Sequence, residues 1–237
     1  MAIIAGPRDN ETNNLSEYSA SSATGSSTIA INTTAVKNGT YGLQAVCNNS
    51  GSDNADTAEA QVNFTYPAST VLVARVWLQF ASFTSGGYGT AISKGVLILR
   101  DSGEAYASVR LVVIGTRQIQ ASYYNTAFGN VAGSASLTLT SATWYMLELK
   151  LDKSGANPVI TFRHSADGSS FTTVETITAT DGVRGSPDSA RTGICHVGQF
   201  EKGIYTVYAD DFTIYDADVA GGGPSARTSR LSLVGVA

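Results

Sequence analysis

Residues 205–216 read YTVYADDFTIYD. Aromatic and branched residues alternate with small and polar ones on both sides of an Asp-Asp pair. The pattern predicts a strand with two carboxylates at its middle. It stands late in the chain, just before a Gly-rich tail. The same period-two alternation recurs upstream. In VLVARVWLQF (71–80), Leu72, Ala74, Val76, Leu78 and Phe80 form one apolar face, and Val71, Val73, Arg75, Trp77 and Gln79 form the other. In AYASVRLVVIG (105–115), Ala105, Ala107, Val109, Leu111 and Val113 point one way; Tyr106, Ser108 and Arg110 point the other. In WYMLELKLD (144–152), Tyr145, Leu147, Leu149 and Leu151 point inward, while Trp144, Met146, Glu148 and Lys150 point outward. One buried and one wet face is the pattern of antiparallel sheets.

Further strands are expected over 27–33, 58–66, 91–100, 118–124, 135–140, 158–165, 171–178 and 193–200. Turn signals separate them: KNG (37–39), DSG (101–103), KSG (153–155), ADG (166–168) and TDG (180–182). No segment carries an amphipathic helix, and no fixed repeat suggests a propeller or solenoid. About a dozen short strands with regular turns predict an all-β, antiparallel two-sheet β-sandwich.

Charged residues are only 14% of the 237, replaced by Ser, Thr, Asn and Gly. Such a surface suits a protein packed against copies of itself. With a net charge of −4 and no Lys/Arg cluster, nucleic acid is excluded as a partner. No apolar run approaches the ~18 residues of a membrane span, so no membrane partner is expected. The opening MAIIAGPRDNE lacks the basic segment of a secretory signal, which favours assembly inside a cell. Cys47 and Cys195 lie in no metal-ligand spacing and read as small buried hydrophobes.

Catalytic patterns are sparse. Glu148 and Asp152 share an outward face, but four strand residues span about 13 Å. A retaining glycosidase pair needs about 5 Å, so both read as members of a solvated face. His164 and His196 are the two histidines, and no nucleophile-elbow string accompanies them. A non-catalytic protein is therefore expected. Arg75, Trp77, Tyr106, Arg110, Trp144 and Arg163 are outward-facing aromatic and guanidinium groups. Sharing one surface, they could stack on sugars and fork onto hydroxyls or carboxylates. They could equally form a protein interface or lie under a loop such as FTSGGYG (83–89).

Three pieces together carry a resemblance: Glu11 within NETNNLSEYSASS (10–22), the stretch VKNGTYGLQAV (36–46), and YTVYADDFTIYD (205–216). In order and spacing they resemble concanavalin A-like jelly rolls, found in carbohydrate-binding modules, laminin-G-like domains and phage virion proteins. Such chains often open with Phe-Glu-x-Gly, continue with Ser-Gly-x-Tyr-Ala-Leu-Arg, and close on Asp-Asp-hydrophobic-x-hydrophobic. Asn10 stands where the family has Phe. The resemblance implies no required cofactor. It does imply a structural calcium held by Glu11, Asp210 and Asp211; the alternative is that the Asp pair hydrogen-bonds the N-terminal loop. Polarity and the Gly-rich stretch divide the chain into three segments: an irregular stretch at 1–26 packing on the sandwich, a jelly roll over 27–216, and a C-terminal arm over 217–237. Leu231, Leu233 and Val236 of the arm would pair with a neighbour's sheet edge; the alternative is that the tail folds back on its own domain. The expected function is a homo-oligomeric virion structural protein, a head decoration or a tail or fibre component. It would be assembled in the host cytoplasm, with copies of itself and other virion proteins as partners. The alternative is an extracellular carbohydrate-binding module or lectin that takes glycans, and a third is a glycan hydrolase or lyase.

Overall fold

Strict alternation of apolar and polar residues can bury one face per strand, and two such sheets must then pack face to face. The computed structural model of the chain describes residues 2–49, 56–85, 94–103, 107–115, 117–195 and 203–217. Among these, the strands are β1 (Ile3–Arg8), β2 (Ala20–Ala23), β3 (Thr28–Asn32), β4 (Gly42–Asn49), β5 (Ala58–Asn63), β6 (Val71–Ser85), β7 (Lys94–Arg100) and β8 (Ala107–Gly115). They continue with β9 (Gln118–Tyr124), β10 (Asn130–Thr138), β11 (Tyr145–Asp152), β12 (Val159–Ser165), β13 (Thr172–Thr178), β14 (Ser189–Cys195) and β15 (Gly203–Tyr215). A single 3-10 turn spans Leu15–Glu17.

Sheet A runs β13-β12-β11-β6-β15-β4-β3, and β1 also pairs with β15. Sheet B runs β10-β9-β8-β7-β14-β5-β2. The ladders between neighbours are antiparallel, as the alternation requires. The inner faces are the expected ones. Leu72, Ala74, Val76 and Leu78 of β6, Leu147, Leu149 and Leu151 of β11, and Val109 and Leu111 of β8 are fully buried in one cluster. At one edge Glu175 of β13 bridges the sheets. Its carboxylate accepts from the Ser134 hydroxyl at 2.9 Å and from the Ser134 and Ala135 amides of β10.

Several expectations need correction. Residues 1–26 are not wholly irregular, since β1 joins β15 and β2 joins β5. The strand expected at 135–140 begins at Asn130; the one expected at 193–200 starts earlier, at Ser189, and residues 196–200 lie outside the described residues. The outward faces are not uniformly wet. Val73, Arg75, Trp77 and Glu148 stand on the outward side of sheet A and are all buried. Leu231, Leu233 and Val236 of the expected arm, together with Tyr106 and His196, lie outside the described residues.

Candidate functional site

The Asp pair sits where β15 leaves its regular ladder. Asp210 pairs with Trp77 of β6, the next partner is Thr213 with Arg75, and Asp211 takes a φ of 50°. The bulge turns both carboxylates toward the chain's N-terminal part. Asp210 is fully buried and surrounded by N–H donors. Its Oδ2 accepts from the Lys37 and Asn38 amides at 3.0 and 2.9 Å, and its Oδ1 from Asn10 Nδ2 at 3.3 Å and the Asp211 amide at 2.9 Å. Asp211 Oδ2 accepts from Asn38 Nδ2 at 2.6 Å. Glu11 Oε1 accepts from the Thr40 and Tyr41 amides.

These contacts do not fit the expected calcium. A cation needs free carboxylate and carbonyl oxygens, whereas here the Asp210 oxygens face donors. Among the described residues no group of three His, Cys, Asp or Glu side chains could hold a metal ion. The arrangement is the alternative one: the N-terminal loop is tied to β15. Asn10, at the position that departs from the family pattern, makes the tie. It is fully buried, bonds Asp210, and accepts from the Tyr18 hydroxyl at 2.9 Å. Burial pushes the Asp210 carboxyl up to about 7; Asp211 adds to the rise, and the amides oppose it.

The five described residues of the six expected on one surface are divided between the two sides of the sandwich. Arg75, Trp77 and Arg163 stand on sheet A, and Trp144 stacks 6.5 Å from Tyr208 of the same sheet. Arg110 stands on β8 of sheet B, facing the other way. The sheet A group is also committed to packing. Glu148, expected to be solvated, is fully buried between two guanidiniums. Its Oε2 takes Arg75 Nε at 2.6 Å, and its Oε1 takes Arg163. The Arg75 guanidinium lies 4.4 Å from the Phe171 ring and 5.5 Å from that of Tyr215. Trp77 lies under Lys37, whose Nζ is 4.5 Å from the ring, and against Gly168, where a Cβ would come within 2.8 Å of the indole. Arg75 and Trp77 do pack beneath a segment, but it is the one bearing Gly168 and Phe171; most of FTSGGYG (83–89) lies outside the described residues.

The outward face of sheet B is different. One row of paired positions crosses six strands: Gln61, Arg191, Ile98, Arg110, Ser122 and Ala132. The flanking rows add Glu59, Arg100, Ser108, Val112, Gln120, Tyr124 and Asn130. Arg110 is held from three sides. Its Nε donates to Ser122 Oγ at 2.8 Å, its Nη2 donates to Asn130 Oδ1 at 2.9 Å, and the Tyr124 ring lies 4.7 Å away. Arg191 pairs with Glu59. Burial lowers the pKa of Arg110 and of Arg100, where the nearby Arg191 charge adds to the effect. The middle of the face is sheltered: Arg110 is 3% exposed, Ser108 and Ser122 1% each. The outward positions of β10, by contrast, are exposed.

One feature marks this face: its strands place three basic side chains on it, Arg100, Arg110 and Arg191, against one acid, Glu59, while Lys94, opposite the inward Val113, stands on the inner side and donates to the Asp56 carbonyl. The strands of sheet A carry five acids and four bases. Ser108 Oγ and Arg191 Nε are buried with no hydrogen-bond partner among the described residues, as are Arg8 Nε, Asn48 Oδ1, His164 Nδ1 and Glu175 Oε2 on strands of sheet A. Buried polar groups are seldom left so. Sequence reasoning found Arg110 but missed Arg100, Arg191 and Ser108. Their signal, an excess of bases on one sheet, exists only once strands are assigned to sheets.

No family model matches the sequence, and no curated protein matches it. Solved structures do match the fold. The endo-beta-1,4-glucuronan lyase from the fungus Trichoderma reesei aligns with a TM-score of 0.62 at 12% identity, covering 85% of this chain and 92% of its own. The cellulose induced protein Cip1 aligns with a TM-score of 0.58 at 14% identity, covering 85% and 90%. The catalytic domain of a glycoside hydrolase family 131 protein from Coprinopsis cinerea aligns with a TM-score of 0.55 at 11% identity, covering 92% and 96%. The fold is thus the concanavalin A-like jelly roll that the sequence resembles. The expectation of a non-catalytic protein needs correction, because the structures sharing this fold include a lyase and a hydrolase catalytic domain.

Proposed function

We propose that this chain acts on an acidic polysaccharide laid across the outward face of sheet B. The observation that carries the reading is the excess of bases on this outward face, where Arg110 and Arg191 stand in one row and Arg191 remains partly exposed. They stand on β8 and β14, with β7 between. Two strand spacings are about 10 Å, roughly the length of a disaccharide. Hydroxyls would meet Gln120 and Asn130, and carboxylates would meet the guanidiniums, which match them in bidentate geometry. The glucuronan lyase among the structural relatives is named for a polymer of this class.

Cleavage by β-elimination is the second reading, favoured by the contact between Tyr124 and Arg110. Elimination needs a cation to neutralise the uronate carboxylate and a base to take the proton beside it. The guanidinium and the phenol oxygen stand side by side for those two tasks. The proton would pass to the phenolate oxygen, the C–H electron pair would form the C=C bond as the C–O bond to the leaving sugar breaks, and the same proton would return from the phenol to the leaving oxygen.

Affinity electrophoresis in gels containing a polyuronate or a neutral glucan tests the reading. Retention in polyuronate alone, weakened by salt and reduced about tenfold by Arg191→Gln, is the expected result. Equal mobility in both gels would refute it. Ultraviolet absorbance of unsaturated ends in the same mixtures reports elimination.

The virion role belongs here as the setting for such a face. Its support lies in the sequence: charged residues at 14%, a jelly-roll pattern, and a Gly-rich hinge before residues 224–237. A glycan-binding face and a homo-oligomeric virion component are compatible, since virion jelly rolls can bind host glycans.

A further inference from the structure

The β9–β10 hairpin presents an aromatic ring under conditions that packing does not explain. Phe128 is 53% exposed, and its φ is 65°. A bulky residue in the left-handed region is an outlier, because glycine or asparagine occupies it at lower cost. Such strain persists only where the surroundings over-determine the backbone, and here they do. Asn125 Oδ1 accepts from the Ala127 and Gly129 amides at 3.1 and 2.7 Å, and the Asn125 amide donates to the Gly129 carbonyl at 2.9 Å. Asp181, in the connection between β13 and β14, accepts from Asn125 Nδ2 at 2.7 Å and from the Tyr123 hydroxyl at 2.6 Å. Thr126 Oγ1 donates to the Asp181 carbonyl, and the Arg184 amide to the Tyr124 carbonyl. The Arg184 guanidinium carbon lies 3.2 Å from the centre of the Phe128 ring. A rigid loop therefore holds an exposed ring and a guanidinium together at the end of sheet B.

This place is continuous with the polysaccharide face. Tyr124 and Asn130, the paired residues that bound the loop, are the same side chains that contact Arg110. We propose that Phe128 and Arg184 form a terminal subsite. One sugar ring of the acidic polysaccharide stacks on Phe128, and its carboxylate meets Arg184. The inference rests on the reading of sheet B as the polysaccharide face, and it adds a subsite beyond the edge of that sheet. Aromatic rings stack on the apolar face of a pyranose, and the guanidinium selects a uronate over a neutral sugar.

Isothermal titration of the full chain with uronate oligosaccharides of graded length tests it. In the wild-type chain, affinity should rise in a step when the oligosaccharide becomes long enough to pass the edge of sheet B. Phe128→Ala should remove that step, weakening long oligosaccharides about tenfold while leaving short ones unchanged. Phe128→Trp should keep it. Phe128→Gly, which suits the backbone, should lose the step without lowering Tm, separating binding from folding. Wild-type binding with no length step, or a step that survives Phe128→Ala, would overturn the subsite and leave the sheet B reading standing. No binding of any length would overturn both. If Phe128→Ala instead dissociates an oligomer in sedimentation without changing sugar affinity, the ring is a protein contact and the subsite falls.

Discussion

Asn10 is the residue at which a departure from a family pattern becomes a contact. A Phe there would bury a ring; Asn10 instead puts an amide between Tyr18 and Asp210, both far from it in role and one far in sequence. The four N–H donors around Asp210 explain how a carboxylate survives at the centre of a sheet. Burial nevertheless dominates its titration, and its folded pKa of about 7 lies above the unfolded value near 3.8. Between those values the folded state binds the extra proton. The stability Asp210 contributes is therefore full below about pH 4 and is lost as pH rises through about 7. The Tm advantage of the wild-type chain over Asp210→Asn should shrink across that interval. A difference that stays constant from pH 4 to pH 8 would show that Asp210 does not titrate there.

At the scale of elements, the buried Arg75-Glu148-Arg163 row joins β6, β11 and β12 through side chains that stand directly opposite one another in the ladder. Period-two alternation places these charges correctly on the outward side. It does not show that the segment bearing Gly168 and Phe171 covers them. Removing one member leaves buried guanidiniums without their counter-charge. Glu148→Gln should therefore cost about 3–5 kcal/mol in denaturant unfolding. The triple replacement Arg75→Met, Glu148→Leu, Arg163→Met should cost much less, because no charge then remains to be desolvated. Equal losses in the two variants would mean that shape, not charge, dominates this row. The Glu175 clasp between β13 and β10 has another logic, since it satisfies edge amides that would otherwise be open.

Across the whole molecule, charge is unevenly divided. The chain carries a net charge of −4, yet the strands of sheet B turn three bases and one acid outward. The outward face of sheet B is therefore positive on a protein that is negative overall. The described strands already close both sheets around one core. Deleting residues 221–237 should accordingly leave a folded sandwich with nearly unchanged Tm. If the segment is an assembly arm, the deletion should reduce the oligomer seen by sedimentation. Unfolding on deletion would show instead that the segment belongs to the core.

The fold class, the inner faces and the closing strand are legible in the amino-acid sequence. These depend on period-two alternation and turn residues, which are local signals. Leu72 to Phe80 of β6 and Leu147 to Leu151 of β11 read correctly because burying their alternate side chains is the one way a sheet can hide them. Only the tertiary structure decided which outward charges are dry and which residues share a surface. Glu148 looked solvated because two arginines distant in sequence reach it only after β6, β11 and β12 pair. Arg110 and Arg75 looked like neighbours because alternation separates inside from outside but does not say to which of two sheets a strand belongs. Arg100, Arg110 and Arg191 form one face for the same reason. Their strands adjoin through long-range pairing, and hydrogen-bonded partners far apart in sequence leave no local periodicity to read.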